Sequence, residues 1–98
     1  MPFDRQVLAA RTRLLADALA VEAPGTSTEV RIPPFAVVRC IEDPRHTRGT
    51  PPNVVESDPL TWVRLATGRA QWAAAVENAQ VKASGERADL VEVLPIPG

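Results

Sequence analysis

The sequence predicts an α+β domain with one sheet and its helices packed mainly on one face, and three observations carry that reading. Apolar residues recur at helical spacing across the first 22 positions. From Glu29 the apolar period changes to two. Asp58-Pro59 then marks a fresh helix start after a further short apolar run. Long-period and short-period segments mixed in this way over 98 residues make one small domain, spanning 1–98.

The first helix is predicted over the segment ending at residue 22, with Asp4 as its N-cap. Val7, Leu8, Leu14, Leu15, Ala18, Leu19 and Val21 recur at steps of three and four, and Arg5, Arg11, Arg13, Asp17 and Glu22 fall between them. Pro24-Gly25 stops it, since proline cannot extend a helix and glycine accepts left-handed backbone. Val30 and Ile32 alternate with Glu29 and Arg31, a half-buried strand that Pro33-Pro34 interrupts. Phe35 to Ile41 is apolar on both faces except at Arg39, which predicts a central strand covered on both sides. A loop of 12 residues follows over 42–53. Loops that long in a small domain are usually functional or mobile. Val54 to Glu56 forms a third strand, and Asp58 with Pro59 caps a helix that runs to Thr67 and ends at Gly68. A second helix is expected from Arg69 to Ala79, a strand over Val81 to Ser84, and a last helix from Ala88 to Leu94 before Pro95.

Composition excludes several classes of function. The chain is 45% hydrophobic and 23% charged, with ten arginines and one lysine against twelve acids. Residues 1–25 and 26–57 are each neutral and 58–98 carries −1, so no segment has the basic excess that nucleic acid or an anionic membrane surface demands. The longest apolar run is five residues, Trp72 to Val76. A membrane span needs about 20. One cysteine, Cys40, forbids an internal disulfide, and one histidine, His46, leaves no zinc spacing. Met-Pro-Phe-Asp-Arg at the N-terminus lacks a basic segment followed by an apolar one. The expectation is a cytoplasmic chain with no metal, no cofactor and no transmembrane segment.

Candidate chemistry is sparse. Cys40 reads either as a thiolate nucleophile with His46 as its base or as a small core residue, and nothing near it in sequence lowers a thiol pKa. The five glycines are isolated, so no phosphate cradle exists. Arg45, His46 and Arg48 gather on the 42–53 loop. They either clamp a carboxylate or phosphate headgroup, or are solvated, or pair with Glu42, Asp43 and Glu56. Trp62 and Trp72, ten residues apart, either line an apolar pocket or pack the core. No enzyme activity is expected.

The second half also carries a resemblance. Val54 through Trp62, then Leu65-Ala66-Thr67-Gly68 and Trp72, then Val81 through Leu90, resemble the sterol carrier protein type 2 superfamily. The string Arg45-His46-Thr47-Arg48-Gly49-Thr50-Pro51-Pro52-Asn53 is similar to that of small sterol-carrier-like proteins of actinobacteria. The likeness covers residues 29–94 and leaves the first helix, 1–22, outside it. It implies a sheet of about five mainly antiparallel strands, packed by helices around an apolar cavity. It also implies non-enzymatic binding or carrying of a lipid, fatty acyl chain or sterol-like molecule. Val37, Ile41, Val55, Trp62, Leu65, Trp72, Val76, Leu90 and Leu94 are then expected to form the core or cavity wall, with Arg45, His46 and Arg48 at the ligand's polar end. The alternative is a protein-interaction module with a collapsed cavity, binding a partner through a sheet edge or the 42–53 loop.

Overall fold

The computed structural model of the chain describes residues 4–43, 51–85 and 88–96. Asp4 starts the first helix, α1 (Arg5–Glu22), by accepting hydrogen bonds from the backbone N–H groups of Gln6 at 2.8 Å and Val7 at 3.4 Å. The helix closes where the Ala23 N–H donates to the Leu19 carbonyl. Its apolar residues do not share one face. Ala9, Thr12, Ala16 and Leu19 are buried, whereas Val7, Leu14 and Val21 are 50%, 69% and 77% exposed. A step of seven is close to two full turns, so those three stack in a line, and that line lies opposite the buried one. The single apolar face that the spacing suggested is therefore two faces.

After Gly25 the chain enters β1 (Thr28–Ile32), turns through Pro33-Pro34 and returns as β2 (Ala36–Cys40), with the Phe35 N–H bonded to the Ile32 carbonyl. The antiparallel register sets Thr28 opposite Cys40 and Ile32 opposite Ala36. β2 thus ends where β1 begins. Residues 41–52 lead from that end into β3 (Asn53–Ser57), which lies on the other side of β1 and parallel to it, with Thr28 beside Asn53 and Val30 beside Val55. β4 (Val81–Ser84) then pairs antiparallel with β3, giving the order β2-β1-β3-β4.

The sheet differs from expectation in two details. Among the described residues it has four strands where about five were implied, and it is mainly antiparallel as expected but mixed, since β1 and β3 run parallel. The apolar run that looked central is the edge strand β2, because the proline turn makes it a hairpin partner and β3 takes the other side of β1.

Alternation assigns the faces. Thr28, Val30 and Ile32, with Cys40, Val55 and Val81, are buried on one face. The other face carries Arg39, Glu29, Arg31, Glu56 and Lys82 in neighbouring register, with Glu29 bonded to Arg31 and 3.8 Å from Arg39. Such a face needs no cover, since its charges alternate and are wet. The helices collect on the apolar face: α1 packs on β2, and α2 (Pro59–Ala66) packs on α1.

The short helix α3 (Trp72–Glu77) lies beside β4 and begins later than Arg69. The N–H groups of Arg69 and Ala70 both turn back to the Arg64 carbonyl and close α2 instead. The helix expected over Ala88 to Leu94 is a set of turns. The Asp89 carboxylate takes the Val91 N–H at 2.9 Å, a local bond that competes with helix, and Pro95 disfavours helical backbone at Leu94. The Ile96 N–H donates to the Ala66 carbonyl and draws this tail across the end of α2, leaving Leu90 wholly buried. Gly85, at φ +105°, lets the turn after β4 pass directly against Asn53, where any Cβ would overlap the Asn53 side chain.

Candidate functional site

The space between the apolar sheet face and the α1–α2 layer is organised by one side chain, Trp62. Its position follows from the helix start. The Asp58 carboxylate accepts the Thr61 N–H at 2.9 Å and the Thr61 hydroxyl at 2.6 Å, and Pro59 supplies a fixed φ at the first turn. One turn of helix then carries Trp62, Leu65 and Ala66 onto the inner side, each 2% exposed or less. The Trp62 indole N–H crosses to α1 and donates to the Thr12 carbonyl at 3.2 Å. A buried indole needs such a partner. The bond fixes α2 against α1 over the sheet.

The structure brings four of the sequence-predicted wall residues together. Val55 on β3, Trp62 and Leu65 on α2 and Leu90 on the C-terminal turns belong to one buried cluster with Leu19, Val30, Ile32 and Cys40. Ile41, Trp72 and Leu94 are half-buried and pack against that cluster. Val37 and Val76 are 61% and 39% exposed. Val37 alternates with the inward Val38 and faces out beside Arg31, so the sheet separates it from Trp62. There it lines a surface recess of about 400 Å³ with Arg31, Pro33, Pro34, Phe35, Ala36 and Glu56. Arg45, His46 and Arg48 lie outside the described residues.

Ile41 marks the junction of α1 and β1 at the end of β2. Its φ of +65° is costly for a β-branched residue and is held by three hydrogen bonds. Its N–H donates to the Ala23 carbonyl at 2.7 Å, and its own carbonyl accepts the Ser27 N–H and hydroxyl at 3.0 and 2.7 Å. One strained residue thus ties the end of the helix to the start of the sheet.

Cys40 is wholly buried on the inner face of β2, and burial pushes its thiol up to about 11. That direction suits a core residue and opposes a nucleophile at neutral pH. Among the described residues no group of three His, Cys, Asp or Glu side chains is placed to hold a metal ion, and no helix is long and apolar enough to cross a membrane.

Sequence reasoning missed the contribution of α1 to this interior. Ala9, Thr12 and Ala16 lead to Leu19 at a three-four-three helical spacing, the signal that would have found them. The larger outward residues Val7, Leu14 and Val21 masked it, and Thr12 was hidden by its polarity.

Over residues 4–96 the chain matches the family model described as "Bacterial SCP ortholog". The match takes in α1 as well as the sheet. No curated protein matches the chain.

Proposed function

This chain belongs to the family of bacterial sterol-carrier-protein (SCP) orthologs, and from that premise we propose that it binds and carries an apolar ligand without catalysing a reaction on it. The ligand class is a lipid, a fatty acyl chain or a sterol-like molecule. Membership over nearly the whole chain is the observation that carries this reading. The apolar layer around Trp62 supports it: Val55, Leu65 and Leu90 offer a hydrocarbon surface, and Ile41, Trp72 and Leu94 form its half-buried border. Affinity would come from apolar area removed from water, at about 25 cal/mol per Å². Arg45, His46 and Arg48 are the counter-charges that an acidic headgroup would require.

A second reading has its own observation. Val7, Leu14 and Val21 form an exposed apolar line on α1, as a protein-interaction module would present. Native mass spectrometry of freshly purified protein, beside organic extraction of the same sample, separates the two. The carrier reading expects a co-purifying lipid of defined mass. A bare chain mass that persists after incubation with fatty acids, acyl-CoA and sterols would reject it in favour of the interaction module.

A further inference from the structure

Seven polar or charged residues are buried among the described residues, and six of them have partners. The Ser27 hydroxyl donates to the Ile41 carbonyl, the Asn53 amide to the Ser27 carbonyl, the Ser57 hydroxyl to the Asp58 carbonyl, and Thr61 to the Asp58 carboxylate. Thr28 and Asp43 are also engaged. Thr12 is the exception: wholly buried, with a hydroxyl that has no hydrogen-bond partner among the described residues. A helical threonine usually relieves this by bonding the carbonyl four residues back, and Thr12 does not. Valine has nearly the same shape and would leave no orphan. An unpaired buried hydroxyl is destabilising, and each one calls for an explanation.

Its surroundings point to a ligand. Thr12 lies on the inner line Ala9–Thr12–Ala16 of α1, where small side chains hold the helix over the core with little apolar area. Its own carbonyl accepts the Trp62 indole, so the hydroxyl stands at the contact between α1 and the centre of the apolar layer. Among the described residues no lysine or arginine is buried. A lone hydroxyl without a nearby buried cation matches an uncharged group, because an unpaired carboxylate buried there would cost far more than one hydrogen bond returns.

We propose that the Thr12 hydroxyl is the hydrogen-bonding contact for the single uncharged polar group, an alcohol, of an otherwise apolar ligand that enters between α1 and Trp62. This rests on the carrier reading and names the chemistry of its ligand.

The test titrates the whole chain and its Thr12→Val and Thr12→Ser variants with 1-decanol, decanoate and 1-chlorodecane, followed by tryptophan emission, with thermal unfolding of each variant. The wild type is expected to bind decanol more tightly than decanoate at neutral pH. Thr12→Val should weaken decanol roughly three- to tenfold, the range one net hydrogen bond spans, and leave 1-chlorodecane unchanged. Its midpoint of unfolding should not fall, and Thr12→Ser should keep the decanol affinity. Equal decanol affinity in wild type and Thr12→Val, or an equal loss for all three probes, overturns the role of Thr12 and leaves the carrier reading standing. No binding of any probe by the wild type overturns both.

Discussion

Replacing Trp62 by phenylalanine tests the central packing claim, because it removes one hydrogen bond and part of one ring while leaving an aromatic side chain in place. The indole N–H is bonded to the Thr12 carbonyl at 3.2 Å, and the side chain is 1% exposed. Losing that bond costs about 1 kcal/mol. The lost ring atoms leave space in a packed interior, which adds about 1 kcal/mol more. For a domain of this size a loss of about 2 kcal/mol lowers the unfolding midpoint by roughly 8–16 °C. Urea and thermal unfolding followed by circular dichroism measure it directly. Trp72→Phe is the internal control: Trp72 is only half-buried at the edge of the cluster, so its loss should be smaller. Emission should agree, with the Trp72→Phe protein, which keeps Trp62, emitting further to the blue. A Trp62→Phe loss below about 0.5 kcal/mol, the range of an ordinary surface change, would refute the view that Trp62 fixes α2 to α1.

Two further outcomes depend on the same interior. The Cys40 thiol is raised from its ordinary 9.0 to about 11 by burial, so the unfolded chain gives up this proton first. Its stabilising contribution is therefore complete below pH 9 and is lost as pH climbs toward 11; urea midpoints across that window should fall more steeply for wild type than for Cys40→Ala, and parallel curves would contradict it. Phe35 has the guanidinium of Arg5 5.0 Å and that of Arg13 5.9 Å from its ring centre, while the Arg13 side chain also donates to the Phe35 carbonyl at 3.2 Å. Phe35→Leu should cost about 1 kcal/mol through the lost ring contacts and speed hydrogen exchange in the first half of α1 more than in the second, whereas uniform exchange would deny that these arginines hold that half down.

The local elements were legible because their signals are local. Asp4 and Asp58 both cap helices as their positions imply, and Val81 to Ser84 is a strand with the expected bounds. Pairing was not legible. From the end of β2 the chain can pair β3 with β2, antiparallel, or with β1, parallel, and no residue within β3 encodes that choice. The edge position of β2 was hidden for a related reason. Val37 and Val38 are equally apolar, and only the register with Arg31 and Val30 turns one outward and the other inward. In the site, large residues were legible and small ones were not. Trp62 and Leu90 stand out by size, while Ala9, Thr12 and Ala16 act through the close approach they permit.

That last distinction bears on how an interior filled by Trp62, Leu19 and Leu90 could admit a ligand. The second half of α1 is firmly tied: Leu19 is wholly buried, and the strained Ile41 donates to the Ala23 carbonyl just past the helix end. The first half presents Ala9 and Thr12 to the core, so lifting it exposes little apolar area at about 25 cal/mol per Å². What holds it is largely exposed or polar, namely the Arg5 and Arg13 contacts with Phe35 and the Trp62 bond to Thr12. The cheapest opening into the apolar layer is therefore at the N-terminal half of α1, hinged at its other end. The first buried polar group such an opening exposes is the unpaired hydroxyl of Thr12, which ties the ligand's route and its polar contact to the same turn of helix.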